Sequence, residues 1–191
     1  MPARPDPTTH RDVPGPSALP APGPVAPGAT DPVSERDVEV LTEQLGRAPR
    51  GVVGVAARCV CGRPLVVRTA PRLDDGTPFP TTYYLTSPQA VAAVSSVEAT
   101  GVMKEMTQRL AEDDELAAAH RRAHEAYLAD REAIAHVPEI AGISAGGMPQ
   151  RVKCLHVLVA HALAAGPGVN PIGDEALAMV ADRWRPDRCT C

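Results

Sequence analysis

The sequence predicts an α+β domain in which a small antiparallel sheet is followed by a helical majority. Three short runs of β-branched and aromatic residues, each bounded by Gly or Pro, lie between residues 52 and 85. The links between these runs are too short for helical crossovers, so the strands are expected to be antiparallel. From residue 87 onward, apolar residues recur at helical spacing. Strands and helices do not alternate, which argues against a Rossmann unit.

A single domain with two flanking tails is expected from the length of 191 residues. Residues 1–33 contain ten of the 21 prolines and show no apolar periodicity. They are therefore predicted to form a disordered tail, whose deletion leaves the stability unchanged. The folded domain is predicted over residues 34–185. Residues 186–191 are predicted to form a short C-terminal tail that contains two cysteines.

The domain is predicted to begin with a short helix. Ser34 suits the N-cap position, and Gly46 suits the end of the helix. The three predicted strands are Val52–Arg58, Leu65–Thr69 and Thr81–Leu85. An Asp-Gly pair and several prolines in residues 71–80 predict a turn-rich link before the last strand.

Five helices are predicted after the sheet, over residues 88–101, 102–110, 113–136, 150–165 and 174–184. Pro88 and Pro149 lie where a proline can open a helix, and Pro138 ends the longest one. The most apolar of the five is the helix over residues 150–165, which Gly166 is expected to close.

Composition and charge argue against several classes of function. The net charge of −4 gives no positive field for polyanions, and 3% aromatic residues give no base-stacking surface, so no nucleic-acid partner is expected. No run of about 18 apolar residues occurs, so no membrane segment is expected. The odd number of five cysteines and the lack of an apolar leader favour a reducing compartment. A cytoplasmic location is the resulting expectation.

The segment Cys59-Val60-Cys61-Gly62 follows the first predicted strand at a turn. Thiolates paired at a turn suit zinc, although the usual zinc knuckle separates its cysteines by two residues rather than one. In strand geometry Cys59 and Cys61 point to the same face. The motif is therefore compatible with a metal site, and also with two small buried hydrophobic side chains.

Further candidate ligands lie in the predicted helix over residues 150–165. Cys154 and His161 lie within roughly 20° of each other around a helix, whereas His156 lies roughly 160° from Cys154. We therefore expect one zinc site that ties the sheet to this helix. Its expected ligands are Cys59, Cys61, Cys154 and His161. The alternative is that Cys154 is a buried thiol and His161 a core histidine.

The start of the same helix is a candidate anion site. Gly147 leaves backbone N–H groups near the positive end of the helix, and Arg151 and Lys153 add positive charge in its first turns. This arrangement predicts that a phosphate-bearing or otherwise anionic small molecule binds there. A solvated basic face is the alternative.

A catalytic role for Cys154 is a further hypothesis. The positive environment at the start of the helix would lower the pKa of this thiol and favour a thiolate nucleophile. His156 is the candidate general base, with His161 as the alternative. The spacing of the sequence identifies no acid that would orient either histidine.

The chain ends in Cys189-Thr190-Cys191. This second C-x-C motif could complete a four-cysteine site with Cys59 and Cys61. Because chain ends are usually mobile, we rank this arrangement below the site that includes Cys154 and His161.

Four separated motifs carry a family resemblance. They are Cys59-x-Cys61-Gly62, the segment 75–86, Arg151-Val152-Lys153-Cys154-Leu155-His156 with His161, and Asn170-Pro171-Ile172-Gly173. Over residues 34–185 the chain resembles the bacterial DUF501 family, whose function is unknown. Genes of this family often lie near those of a septum-formation initiator protein and an exopolyphosphatase. The resemblance thus implies a partner related to cell division or polyphosphate by gene neighbourhood alone.

Three functional hypotheses follow. The first is a small metal-binding protein in which zinc plays a structural or regulatory role. The second is an enzyme that acts on a phosphate-bearing or otherwise anionic small molecule through Cys154 or a bound metal. His156 or His161 would assist, and Arg151 and Lys153 would hold the anion. The third is an interaction module near the division machinery. An enzyme would need an open metal position, whereas a structural zinc ion would be closed by four ligands.

Overall fold

The computed structural model of the chain describes residues 26 and 28–191. Within that part of the chain, a three-stranded antiparallel sheet in the order β1-β2-β3 is followed by mostly helical structure, so the predicted fold class is confirmed. The elements are α1 (Glu35–Leu45), β1 (Val52–Arg58), β2 (Pro64–Thr69), β3 (Tyr83–Leu85), α2 (Pro88–Glu98), α3 (Val102–Glu112), α4 (Asp114–Glu132), a 3-10 turn (Pro138–Ile140), α5 (Leu155–Ala165) and α6 (Pro171–Val180). No helix among the described residues is long and apolar enough to cross a membrane.

Helix α1 begins and ends where its local sequence predicts. The Ser34 hydroxyl accepts a hydrogen bond from the Asp37 backbone N–H at 3.1 Å. The Asp37 carboxylate in turn accepts one from the Ser34 backbone N–H at 3.0 Å, which completes a capping box. Gly46 ends the helix with φ of 67°, a conformation that favours glycine. Both ends of α1 are thus determined by the two residues that flank the helix.

Helix α5 forms the centre of the core. It packs against β3 and α6, and Leu155, Leu158 and Val159 are fully buried. The approach of α6 is so close that a Cβ added at Gly173 would lie 2.3 Å from the Leu158 carbonyl oxygen. Only glycine fits at this position, because any side chain would push the two helices apart.

Several predicted helix boundaries are wrong by three or more residues, the predicted ends of α2 and α6 among them. α4 ends at Glu132, four residues before the predicted end. α5 begins at Leu155 rather than near residue 150, because the Lys153 backbone N–H is used in a hydrogen bond to the Gly146 carbonyl at 2.8 Å. α6 begins at Pro171 rather than near residue 174, since the Asn170 side chain caps it.

Arg58, the last residue of β1, joins three parts of the chain in the interior. Its guanidinium donates to both carboxylate oxygens of Asp37, at 2.7 and 3.1 Å, and to Asp31 at 2.9 Å. It also donates to the Gly62 carbonyl oxygen at 3.0 Å, in the turn between β1 and β2. The side chain of Arg58 is 2% exposed and that of Asp37 is 6% exposed. This buried ion pair therefore fixes the β1–β2 turn relative to α1.

Part of the predicted N-terminal tail packs against the domain. Most of it, residues 1–25 and 27, lies outside the described residues. Residues 28–33 contact the domain. The backbone of Asp31 exchanges two hydrogen bonds with Val55 of β1, both 2.9 Å, and the Gly28 N–H donates to the Ala164 carbonyl at 2.8 Å. The described segment thus extends the edge of the sheet.

Deletion of residues 1–33 should therefore lower the free energy of unfolding by about 2 kcal/mol, because buried Arg58 loses the charge-assisted hydrogen bond to Asp31. Urea denaturation of the two proteins measures this difference. A matched deletion that ends at residue 25 keeps every described contact and serves as the control. Equal stabilities of the two shortened chains would show that the Asp31 contacts contribute nothing.

Candidate metal centre

Four thiols meet beside the turn between β1 and β2. They belong to Cys59, Cys61, Cys189 and Cys191, and their sulfur atoms all lie within 4.8 Å of one another. A tetrahedral zinc ion with Zn–S bonds of about 2.3 Å separates its sulfur ligands by about 3.8 Å. The four thiols are thus close enough to bind one ion with little movement.

The β1–β2 turn brings Cys59 and Cys61 to one side. The Cys59 N–H donates to the Arg63 carbonyl at 2.9 Å, and the Gly62 N–H donates to the Cys59 carbonyl at 2.8 Å. Gly62 has φ of 87°, which a side chain would strain. This tight turn lets two cysteines with one residue between them contribute to the same cluster.

The C-terminal segment reaches the turn from a buried anchor. Trp184 is 4% exposed and packs in the core. The chain then turns, with the Arg188 N–H donating to the Arg185 carbonyl at 3.2 Å. The predicted tail of residues 186–191 therefore lies against the domain at its end, where Cys189 and Cys191 join the cluster.

The electrostatics of the cluster favour a bound cation. Burial raises the pKa of Cys59, and partial desolvation among the clustered thiols raises that of Cys191. Burial also raises the pKa of Cys61, but hydrogen bonds from the Arg63 backbone and the neighbouring thiols lower it by more, to about 7. One thiolate is therefore readily formed, while further thiolates beside it need a positive charge to offset their repulsion.

Among the described residues, the structure groups Cys154 with Glu98 and His156 and brings neither Cys154 nor His161 to Cys59 and Cys61, so the predicted mixed site is not assembled. The four-cysteine arrangement, ranked second on sequence grounds, is the one that the structure assembles. The C-x-C spacing at the chain end is a usable signal for it. The sequence alone gives this motif a low rank, because the spacing of the cysteines does not show that Trp184 anchors the C-terminal segment in the core.

His161 is a core histidine. Its side chain is fully buried between two tyrosines, with ring centroids 5.4 Å from Tyr83 and 5.2 Å from Tyr127. Nδ1 of His161 lies 3.2 Å from Nδ2 of Asn170, whose Oδ1 accepts from the Gly173 N–H. Because the amide nitrogen can only donate, Nδ1 accepts and carries no proton.

Burial lowers the pKa of His161 to about 4. The neutral form is favoured in the folded state, so stability should be full above the unfolded pKa and should fall as the pH drops. The expected loss is about 3 kcal/mol between about pH 7 and about pH 4. Urea denaturation of wild type and of His161→Phe across this range measures it. The Phe variant should lose about 3 kcal/mol less than wild type, and identical pH dependence would contradict the assignment.

A second cluster forms where α2 ends and α5 begins. Nδ1 of His156 lies 3.2 Å from the Glu98 carboxylate and 3.9 Å from the Cys154 sulfur. Cys154 occupies the N-cap position of α5 in an extended conformation. The three side chains are partly buried, and their ligand atoms lie within 4.8 Å of one another. Sequence reasoning missed Glu98, because it lies 56 residues before Cys154 in the chain.

The histidine and the thiol of this cluster favour opposite charges. The hydrogen bond with Cys154 raises the pKa of His156 to about 9, with a further contribution from the Glu98 charge. Burial raises the pKa of Cys154, but hydrogen bonds with His156 and the Val157 backbone outweigh it and lower the pKa. The surroundings of Cys154 therefore favour a thiolate, which either a protonated His156 or a bound metal ion would stabilise.

The predicted anion site is not assembled at the start of α5. Arg151 and Lys153 are exposed and precede the helix. The Gly147 carbonyl accepts from the Arg151 N–H at 3.1 Å. The first backbone N–H of α5, that of Leu155, donates to Glu98 at 2.6 Å. A carboxylate of the chain itself thus occupies the end of the helix where the sequence predicts an external anion.

Comparison with known proteins identifies the family. Residues 55–178 match DUF501, described as a protein family of unknown function. This match covers the β1–β2 turn and the cluster of Glu98, Cys154 and His156, whereas the terminal cysteines lie outside it. No curated protein and no solved structure matches the chain. Because the match spans more than half of its length, the chain belongs to the DUF501 family.

Proposed function

We propose that the protein binds a structural zinc ion through the four thiols of Cys59, Cys61, Cys189 and Cys191. The observation that carries the proposal is their convergence within 4.8 Å. Four sulfur ligands leave no open position, which is typical of structural rather than catalytic zinc. Thiolate ligands also need a reducing environment, in agreement with a cytoplasmic location.

The ion would join the C-terminal segment to the sheet. Cys59 and Cys191 are 132 residues apart in the sequence, and the segment after Trp184 is otherwise exposed. Cys59 is 3% exposed, so this ligand is held in place by the domain before the metal binds. The other three cysteines are exposed and can close around the ion. Zinc would therefore order the end of the chain on a preformed turn.

The metal content of the purified protein tests this proposal. The informative comparison is between wild type and the double variant Cys189→Ser, Cys191→Ser, which leaves the buried ligand and the core intact. We expect the double variant to contain about one zinc ion per chain less than wild type. Visible absorption of the protein separates zinc, which is colourless, from iron bound to sulfur. Equal zinc content in the two proteins would refute the proposal.

An enzyme is the second candidate function. The observation that favours it is the cluster of Glu98, Cys154 and His156, in which a thiol, an imidazole and a carboxylate meet at a partly exposed position. A thiol beside a histidine suits nucleophilic chemistry, and the Val91 carbonyl oxygen, 3.2 Å from Nε2 of His156, orients the ring. Alkylation of Cys154 by iodoacetamide should therefore be faster in wild type than in a His156→Gln variant, which lacks the imidazole that lowers the pKa of the thiol. Equal rates in the two proteins would refute this function.

A further inference from the structure

We propose that Glu98, Cys154 and His156 form a second zinc site, separate from the four-cysteine cluster, with three protein ligands and one open position. The ligand set of one oxygen, one sulfur and one nitrogen differs from the four sulfur atoms at the β1–β2 turn. The two sites therefore differ in chemistry as well as in place.

The two distances from His156 Nδ1 to the other ligand atoms are close to those of a tetrahedral metal site. With zinc bonds of about 2.0–2.1 Å to nitrogen and oxygen and about 2.3 Å to sulfur, neighbouring nitrogen and oxygen ligands lie about 3.3 Å apart, and nitrogen and sulfur about 3.6 Å apart. The His156 Nδ1 atom is 3.2 Å from the Glu98 carboxylate oxygen and 3.9 Å from the Cys154 sulfur. The Glu98 oxygen and the Cys154 sulfur lie within 4.8 Å of each other, so one ion can bind all three atoms after small side-chain movements.

The other ring nitrogen of His156 supports a metal at Nδ1. Nε2 lies 3.2 Å from the Val91 carbonyl oxygen, which can only accept a hydrogen bond. Nε2 therefore carries a hydrogen, and in the neutral ring the Nδ1 lone pair points at the thiol and the carboxylate. Metal-binding histidines commonly donate their second ring N–H to a carbonyl in this way, which fixes the tautomer and the ring orientation.

The local fold orients the remaining two ligands. The Leu155 N–H donates to Glu98 Oε1 at 2.6 Å, which holds the carboxylate against the start of α5. Cys154 is the N-cap residue, with φ of −149° and ψ of 111°, so its side chain is not part of the regular helix. In a helix that included both residues, Cys154 and His156 would lie about 160° apart. This angle does not apply here, because the helix begins after Cys154.

The site is open to small molecules. The side chains of Glu98 and His156 are 22% and 24% exposed. Three protein ligands leave a fourth position, which water or an anionic group of a small molecule would fill, as in catalytic zinc sites. Unlike the four-cysteine cluster, this site would therefore have a place for chemistry.

Zinc titration of the full-length protein tests this inference. We compare wild type, Cys154→Ser, Glu98→Gln and the double variant Cys189→Ser, Cys191→Ser. Metal-saturated wild type should contain about two zinc ions per chain, and each variant should contain about one fewer. The amide introduced by Glu98→Gln keeps an oxygen that can accept from the Leu155 N–H, so this variant preserves the local fold. Ser95→Ala is the matched control, since Ser95 contacts His156 Nε2 at 3.2 Å without being a ligand, and it should keep both ions.

A second measurement needs no variant. Zinc should protect Cys154 of wild type from iodoacetamide, because the bound thiolate is no longer a free nucleophile. Peptide mass spectrometry scores Cys154 separately from the other four cysteines, so failure of one site is distinguishable from failure of the other. Alkylation of Cys154 at an unchanged rate in saturating zinc, or equal zinc content in wild type and Cys154→Ser, would overturn the inference. Either result would assign the cluster to a thiolate paired with a protonated His156.

Discussion

Replacing Asp37 with Asn should lower the free energy of unfolding by about 3–5 kcal/mol, the usual cost of removing one partner from a buried ion pair. Asp37 receives two hydrogen bonds from the Arg58 guanidinium, and the side chain of Arg58 is 2% exposed. The neutral amide cannot balance that buried charge. Urea denaturation at neutral pH measures the loss.

The matched control is Glu43→Gln, which removes the same charge from an exposed pair. Glu43 binds Arg63 at 2.7 Å, but its side chain is 69% exposed. The control should therefore cost at most about 1 kcal/mol. Similar losses in the two variants would show that burial does not increase the contribution of the Arg58–Asp37 pair to the free energy of unfolding.

The Asp37 variant also tests the link between α1 and the metal centre. Arg58 donates to the Gly62 carbonyl in the turn that carries Cys59 and Cys61. An Arg58 side chain that has lost its main partner should hold this turn less firmly. We therefore expect weaker zinc binding in Asp37→Asn, whereas Glu43→Gln should bind zinc as wild type does.

Zinc should stabilise the folded protein by about 4 kcal/mol when its free concentration is about a thousand times the dissociation constant, as mass action requires for a ligand of the folded state. Thermal and urea unfolding in buffered zinc, compared with unfolding in a chelator, measure this increment. The increment should shrink in the Cys189→Ser, Cys191→Ser variant, because the ion loses two of its four ligands.

The stability in chelator provides the control for this prediction. Cys189 and Cys191 are exposed, so their replacement by Ser should leave the metal-free protein as stable as metal-free wild type. If zinc stabilises wild type and the double variant equally, the terminal cysteines are not ligands.

Local signals in the sequence are sufficient to predict most of the fold. The prediction of α1 is correct at both ends, because Ser34 and Gly46 act on the helix directly. The predicted start of α5 is wrong, because the Lys153 N–H bonds to Gly146 and removes the preceding residues from the helix. Pro149 and the spacing of the apolar residues after it do not predict this turn before the helix.

The candidate site depends more strongly on tertiary contacts. Both C-x-C motifs are visible in the sequence, but their pairing follows from the position of Trp184 in the core. Helix geometry places Cys154 with His161 on the assumption that both lie in one helix, whereas Cys154 is the N-cap and His161 lies between two tyrosines. Glu98 joins Cys154 only through the packing of α2 against α5.

X-ray absorption at the zinc edge tests the four-cysteine site most directly. Cys154→Ser is the protein of choice, because it removes the second cluster and leaves one metal environment to measure. We expect about four sulfur neighbours at about 2.3 Å from the zinc ion. A first shell that contains nitrogen or oxygen, or a protein that takes up no zinc, would contradict it.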